Sequence, residues 1–433
     1  MNDVVQNIIH LVVTFLFSLI FLMAAATILV YWERKFMALM QDRVGPLHYG
    51  PQGTLQTIFD VGKLLLKEDI KSKSTDFIVF RLAPMIFFAP VLTAFVVLPF
   101  SPYLTAGALG TGIIYYVALS SIDVIGVFMA GWGSNNKYAL IGGLRGAAQM
   151  ISYELPLVLS IVPVIMLTSV LTAGCAAGAN LNACGVGSIS FSQIIAAQMR
   201  PDTPWLWFFL LQPLGLMTYY TCGLAETNRP PFDLPEAESE LVAGYLTEYS
   251  GLRWAMFFLG EYGNMTIVSA VATSLFLGGW SGPGTAVGFW TSFFGSFWGQ
   301  VVFNIICVFW FLFKMSILLS AFIWIRTTLP RLRADQLMRF AWLFLIPLTL
   351  VNILLTGALL LLPIGDFARV ALSGVANWLL LFVFIVTFRR VTGVNPLGRL
   401  PSWLRGRTVG TPTTRKRPME AEKQGALATT RSR

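Results

Sequence analysis

Nine stretches of this chain are apolar over the length that a helix needs to cross a bilayer, about 20 residues. They run roughly over 7–31, 79–100, 109–131, 155–174, 204–225, 252–278, 299–325, 341–363 and 370–388. The first has no basic leader and ends in Trp32-Glu33-Arg34-Lys35 rather than a small-residue cleavage site, so it reads as a retained helix. A different periodicity occupies 54–67. There Leu55, Ile58, Phe59, Leu65 and Leu66 share one helical face, and Gln56, Asp60, Lys63 and Lys67 line another. This pattern predicts an interfacial amphipathic helix in the headgroup plane, which either anchors the chain or walls a lateral opening for a lipid-soluble substrate. The expected fold is an all-α polytopic membrane protein of about nine transmembrane helices plus that interfacial helix.

Composition points the same way. Hydrophobic residues make up 56% of the chain and charged residues 12%, roughly half the charged share of a soluble domain. A mean hydropathy of +0.70 would burden a water-soluble surface with large apolar patches. Orientation follows from charge, because Lys and Arg in short loops stay on the cytoplasmic or matrix side. With the N-terminus outside, all 30 Lys and Arg fall on the inner side except Arg200, Arg369 and the intramembrane Lys314. Residues 1–390 are expected to form one transmembrane domain. The tail, 391–433, carries Arg399, Arg405, Arg407, Arg415, Lys416 and Arg417 among Pro, Gly and Thr. It buries little and should be disordered or lie on anionic lipid or a partner; nucleic acid is disfavoured, because the run hangs from a membrane anchor.

Some chemistry is excluded at once. The four cysteines, Cys175, Cys184, Cys222 and Cys307, form no Cys-x-x-Cys pair, and His10 and His48 are the two histidines. That inventory makes no conventional zinc site, iron–sulfur cluster or bis-histidine haem. A Gly-rich dinucleotide fold is also missing. Cys175 and Cys184 fall in an outer loop, where a disulfide and two unpaired thiols both remain open.

The inner side holds the candidate functional residues. Glu33-Arg34-Lys35 and Gln41-Asp42-Arg43-Val44-Gly45-Pro46 close the first span. The predicted loop 131–154 contains Arg145 and Glu154, with small residues at Gly142, Gly143, Gly146, Ala147 and Ala148 that permit close helix contact. The densest segment is the acidic loop 226–250, where Glu226, Asp233, Glu236, Glu238, Glu240 and Glu248 are six of the 21 acids. If 236–248 is helical after Pro235, Glu236 and Glu240 share a face. Their repulsion would raise some pKa values toward neutral and suit them to proton uptake and release; a solvated acidic loop is the plain alternative. Asp123, Glu261 and Lys314 sit within spans, with Glu154 and Glu226 near span ends. Each charge at mid-membrane costs about 2.5–3.5 kcal/mol. One alone could be a buried structural pair; five together predict a hydrated path through the inner half of the bundle.

Together these strings resemble the quinone-site membrane subunit of respiratory complex I, the proton-pumping NADH–quinone oxidoreductase. The resemblance rests on Glu33-Arg34-Lys35 with Gln41, Arg43, Gly45 and Pro46, on Asp60, Lys63, Lys67 and Glu68, and on Gly131-Trp132 through Glu154. It continues through Ala225-Glu226-Thr227-Asn228-Arg229-Pro230-Pro231-Phe232-Asp233-Leu234-Pro235-Glu236 to Glu248-Tyr249-Ser250, and closes on Pro330-Arg331-Leu332-Arg333-Ala334-Asp335-Gln336-Leu337-Met338. It covers about 10–390 in the family's order. What it implies is an enzyme subunit without a redox centre, with quinone as substrate arriving sideways from the bilayer, and NADH, FMN and iron–sulfur clusters on partner subunits. By position, Glu33, Arg34, Asp60, Lys63, Arg229, Phe232 and Asp233 would line the quinone chamber. Arg145, Glu154, Glu226, Glu236, Glu238, Glu240, Glu248 and Glu261 would form a proton path toward antiporter-like subunits. The implied partners are the peripheral quinone-site and iron–sulfur subunits, small membrane subunits, the antiporter-like subunits and lipid. The implied location is a bacterial plasma membrane rather than the mitochondrial inner membrane. Asp123 has no assigned place in the family's pattern, the role of Lys314 stays open, and the tail is longer than the family requires.

Three rivals remain: the related membrane subunit of an energy-converting hydrogenase-type complex, a stand-alone proton transporter, and a structural anchor subunit, which the embedded acids disfavour. The complete Glu33–Glu68 and Arg331–Met338 blocks favour the quinone enzyme over the first. The second leads one to expect two similar halves with broken helices, and no such internal repeat is found.

Overall fold

The computed structural model describes residues 2–104, 109–172, 189–199, 207–235, 238–283, 285, 296–363 and 365–392. Regular structure among the described residues is helical throughout. In chain order the helices are α1 (Asn2–Met40), α2 (Gln56–Leu66), α3 (Phe77–Ala94), α4 (Gly112–Gly133), α5 (Lys137–Thr172), α6 (Phe191–Gln198) and α7 (Phe208–Leu211). They continue as α8 (Pro213–Glu226), α9 (Glu238–Leu241), α10 (Gly251–Phe276), α11 (Ser296–Thr328), α12 (Ala334–Arg339), α13 (Ile346–Leu360) and α14 (Asp366–Thr392), with a π-helical turn over Phe340–Leu345 joining α12 to α13. The chain divides into two compact units, Met1–Leu381 and Phe382–Arg433. The first holds everything discussed below. In the second, the described part is the helical run 382–392; the rest of the predicted basic tail lies outside the described residues, as do Cys175 and Cys184.

Among the described residues, seven helices are long and apolar enough to cross a membrane. Their lipid-facing stripes are plain on α11, where Ile305, Phe309, Phe313 and Ile317 stand exposed at four-residue intervals. The remaining two predicted spans differ from the rest for physical reasons. Stretch 204–225 is interrupted at Gln212-Pro213, which leaves α8 with 14 residues, about 21 Å, short of the roughly 30 Å hydrocarbon core. Stretch 252–278 is α10, 26 residues long, but its polar content keeps it out of the seven. It is buried from Gly260 to Phe276 apart from Asn264, so no face has to be apolar for lipid. Its hydroxyls are satisfied on its own backbone: Thr266, Ser269, Thr273 and Ser274 each donate to the carbonyl four residues earlier.

The predicted loop 131–154 is corrected to helix. α4 runs on to Gly133 and α5 starts at Lys137 and continues unbroken through Glu154 for 36 residues. Glycine costs about 1 kcal/mol in a helix interior, but here it permits contacts that no larger residue allows. A Cβ on Gly143 would stand 3.0 Å from the Gly131 Cα, and one on Gly142 would stand 2.8 Å from the Gly244 Cα.

The helical reading of 236–248 is also corrected. α9 is four residues long, and Val242 at φ 66 ends it, because a β-branched residue in the left-handed region cannot continue a right-handed helix. The amphipathic helix is confirmed within its predicted bounds. Ile58, Phe59, Leu65 and Leu66 of α2 are 57–89% exposed, while Thr57 faces inward.

Candidate functional site

Three groups of polar residues gather around the end of α1, the start of α10 and the end of α8. The outermost is an open cleft. α1 carries Arg34 to the end of its span, and Arg34 Nη1 pairs with Asp60 Oδ2 of α2 at 2.5 Å. Gln56 Nε2 donates to the other Asp60 oxygen at 3.3 Å. Behind this pair is a cleft of about 410 Å³ lined by Arg34, Asp60, Lys63, Leu64, Lys67, Tyr249, Ser250, Gly251 and Trp254. Its volume falls in the range of small-molecule sites. The floor is set by close approach: Gly251 at φ +55 brings the start of α10 within 3.0 Å (Cβ position) of the Lys67 carbonyl. Burial pushes the Tyr249 phenol well up, so it stays a neutral donor, here to the Phe80 carbonyl at 3.3 Å. Three basic side chains, one carboxylate and two aromatic faces thus surround a space beside an apolar helix face.

The second group is a buried ionic chain. Glu33 is 2% exposed and accepts bonds from Arg326 of α11 and from the Tyr262 hydroxyl of α10. The Arg229 guanidinium lies over the Tyr262 ring, 4.4 Å from its centroid, and its Nη2 stands 3.5 Å from Glu261 Oε2. Tyr245 Oη donates to Glu261 Oε1 at 3.0 Å. Two carboxylates and two guanidiniums therefore alternate with two phenols, the balance that burial of charge demands. The loop holding Arg229 is fixed from α5. Gln149 Nε2 donates to the carbonyls of Ala225 (2.7 Å) and Phe232 (2.5 Å), and Tyr153 packs on Phe232 at 5.5 Å. The Arg331–Met338 block closes over it, with the Leu332 N–H on the Pro231 carbonyl at 3.1 Å and Tyr153 Oη on the Leu337 carbonyl at 2.9 Å.

The third group lies deeper. Glu226, the last residue of α8, and Asp123 of α4 line one small cavity of about 10 Å³ with Tyr116, Ser120 and Asn264, close to the space a single water needs. Asn264 Nδ2 donates to Asp123 Oδ2 at 2.7 Å. Asp123 Oδ1 and Glu226 Oε2 are buried with no hydrogen-bond partner among the described residues. Glu154 of α5 accepts a bond from Ser121 of α4, and Tyr116 Oη meets Tyr219 Oη at 3.2 Å. α10 links the second and third groups, because Glu261 and Asn264 are three apart and share a face.

Not every sequence-predicted residue enters the group expected of it. Arg229 stands one layer behind the cleft, Phe232 is in the core, and half-buried Asp233 is not among the residues lining the cleft. Arg145 pairs with Glu240 at 2.7 Å on the surface. That pairing holds the Glu240 carboxyl below its ordinary range, so Glu240 is not among the acids that crowding raises. Glu248 accepts from Asn136 Nδ2 at 3.0 Å. Glu236 lies outside the described residues, and so does the Glu238 side chain. Lys314 sits elsewhere: its Nζ donates to the carbonyls of Leu277, Gly279 and Ser281 and lies over the Trp207 ring at 4.2 Å, capping the far end of α10. Sequence reasoning left Tyr245, Tyr249, Trp254, Tyr262, Asn264, Tyr116 and Arg326 out of the site. The signals available for them were Asn264 beside Glu261, a polar pair at i, i+3 in a span, and Tyr249 within the Glu248-Tyr249-Ser250 string. Among the described residues no three His, Cys, Asp or Glu gather as metal ligands.

The family model described as NADH dehydrogenase matches residues 12–357, which include every residue of the three groups. The H subunit of NADH-quinone oxidoreductase from Dehalococcoides mccartyi (strain CBDB1) is 43% identical over 382 residues, 88% of this chain and 95% of the relative. The corresponding H subunits of Brevibacillus brevis (45% over 341 residues; 79% and 90%) and Anoxybacillus flavithermus (46% over 326 residues; 75% and 86%) are similar to the same extent. At that identity over most of both lengths, the chain belongs to the NADH dehydrogenase family, alongside these membrane subunits of NADH-quinone oxidoreductase.

Proposed function

We propose that this chain is the membrane subunit of a proton-translocating NADH–quinone oxidoreductase, and that it receives quinone in the cleft between α1, α2 and the start of α10. Of the readings open to the sequence, the relatives' names support this one. The observation that carries the site is the cleft of about 410 Å³ opening beside an interfacial helix whose outer face is exposed and apolar. A quinone has a flat polar ring on an apolar tail. The tail can leave along the lipid-facing side of α2, while Arg34, Lys63 and Lys67 offer donors to the ring oxygens and Tyr249 and Trp254 offer aromatic faces.

Reduction to quinol takes two electrons and two protons. The electrons come from partner subunits, which hold the NADH, FMN and iron–sulfur chemistry; this chain's residues bind, orient and move charge. Negative charge arriving in the cleft acts on the Arg34–Asp60 pair and on the Glu33–Tyr262–Arg229–Glu261 chain behind it. Buried groups coupled at these distances respond together. The response passes along α10 to Asp123 and Glu226, which exchange protons through their shared cavity, with Glu154 beside them. From there protons move toward neighbouring antiporter-like subunits. The assembly sits in a bacterial plasma membrane, and the basic tail stays on its inner face, against anionic lipid or a peripheral subunit.

The test is photolabelling of the assembled enzyme with an azido-quinone, alongside the D60N variant. Label should fall on peptides containing Arg34, Lys63 or Trp254, and D60N should lower quinone reductase turnover about tenfold or more, the loss expected of a charged partner at a binding site. Label confined to other subunits together with full D60N activity would overturn the assignment.

A further inference from the structure

The helix that ends in Glu226 begins at a joint. Gln212 leaves the helical region (φ −131, ψ 56), and Pro213, which has no N–H, starts α8. A joint inside a membrane bundle strips main-chain groups of helical partners, and they must be bonded from elsewhere. The last helix supplies one such main-chain bond and ties down the Gln212 side chain as well. Trp378 Nε1 of α14 donates to the Leu210 carbonyl at 2.9 Å. Its neighbour Asn377 donates to Gln212 Oε1 at 2.8 Å and to Asn352 Oδ1 at 2.6 Å. α13 completes the cluster: Asn352 Nδ2 donates to Gln212 Oε1 at 3.2 Å, and Gln212 Nε2 donates to Thr356 Oγ1 at 3.2 Å. Gln212, Asn352, Thr356 and Asn377 are each at most 1% exposed. Gly374, one turn before Asn377 and Trp378, lets the two backbones close up; a Cβ there would lie 3.1 Å from Leu211 Cδ2. α14 also lies beyond the residues matched by the family model.

We propose that α14 is a latch on this joint, and that Asn377 and Trp378 are positioning residues for Glu226. α8 is a single rigid unit of 14 residues. One end is held by the amide cluster and the other carries the Glu226 carboxyl into the cavity it shares with Asp123. Over its length of about 21 Å, a tilt of about 5° at the joint displaces the far end by about 2 Å, more than a hydrogen bond tolerates. Midway, Tyr219 meets Tyr116 of the same cavity, so a tilt disturbs both contacts. This inference rests on the proton-carrying role of Glu226 proposed above.

The experiment uses the assembled oxidoreductase carrying N377L/W378F, with W378F alone as the mild variant and E226Q as reference. Trp378 is 49% exposed, so W378F removes one donor with little loss of packing and stays informative even if the double variant fails to assemble. Amide exchange over 208–226 should rise about tenfold in the double variant and less in W378F, with α10 unchanged, as local opening of one element predicts. Pumping per NADH in proteoliposomes should fall below half of the parent value, with a shifted pH profile, while quinone reductase turnover is largely kept. Unchanged exchange in both variants would overturn the latch. Raised exchange with full pumping, in a system where E226Q is impaired, would overturn the positioning role. Full pumping by E226Q would instead remove the reading of Glu226 and the positioning claim with it, leaving exchange to decide the latch alone.

Discussion

Glu33 carries a carboxylate to the membrane end of α1 at 2% exposure, and its two partners do different work. Arg326 supplies the compensating charge, while Tyr262 supplies one neutral donor. Removing one partner of a buried ion pair costs about 3–5 kcal/mol, and losing a neutral hydrogen bond about 1–3 kcal/mol. R326M should therefore deplete the assembled complex in membranes, measured on native gels, far more than Y262F, which keeps its ring under Arg229. Equal loss in both would contradict the pairing. The charge on Glu33 is legible as a polar residue ending a span; its partner 293 positions away is not, because nothing local records which span packs beside which. Glu240 shows the opposite limit. Its carboxyl is held below the ordinary range by Arg145, so the pair contributes above that ordinary range and the contribution is lost as pH falls through the lowered value. The melting temperatures of E240Q and the parent should differ slightly at neutral pH and low salt. They should converge on acidification or added salt, since an exposed pair is screened.

At the level of elements, α5 and α10 hold the site. α5 supplies Gln149, Tyr153 and Glu154 from one continuous helix, and its glycine stretch sets how near α4 and the 244–246 turn can come. A side chain at Gly142 meets backbone rather than a movable side-chain end, and overpacking of that kind costs about 1–3 kcal/mol. G142V should lower the thermal stability of the purified complex and reduce turnover together, whereas G62A on α2, where a Cβ meets nothing within 4 Å, should leave both unchanged. Equal behaviour of the two would argue against close packing at Gly142. Glycine and polar residues between two apolar runs read as a loop because propensity is a local quantity, and the contact that overrides it is not. α10 departs from a plain membrane span in a different way: its Glu, Asn, Ser and Thr content suits a helix enclosed by protein, where lipid imposes no apolar face.

Across the whole molecule, the cleft, the ionic chain and the deep cavity lie in order from the surface inward, joined by α10 and by the Glu226–Arg229 segment. Asp123 and Glu226 come from helices far apart in sequence and share one cavity, so they should act as a unit. D123N and E226Q should each lower pumping per NADH, and the double variant should be little worse than either single one, as coupled groups are non-additive. Losses that multiply would separate them into independent sites. Lys314 takes no part, because its three carbonyl acceptors tie it to the other end of α10. Its variants should affect assembly before they affect pumping.

Local pattern was sufficient for the membrane character, the amphipathic helix over 54–67 and the family. Each depends on residues close together in the chain, on hydropathy over about 20 positions or on an unbroken motif. It could not say which acids converge. The expected hydrated path through five charges resolves into Asp123 and Glu226 at one cavity, Glu154 beside them on Ser121, Glu261 in an ion pair, and Lys314 as a helix cap. A buried charge must find its partner in three dimensions, and the packing of helices distant in sequence selects that partner.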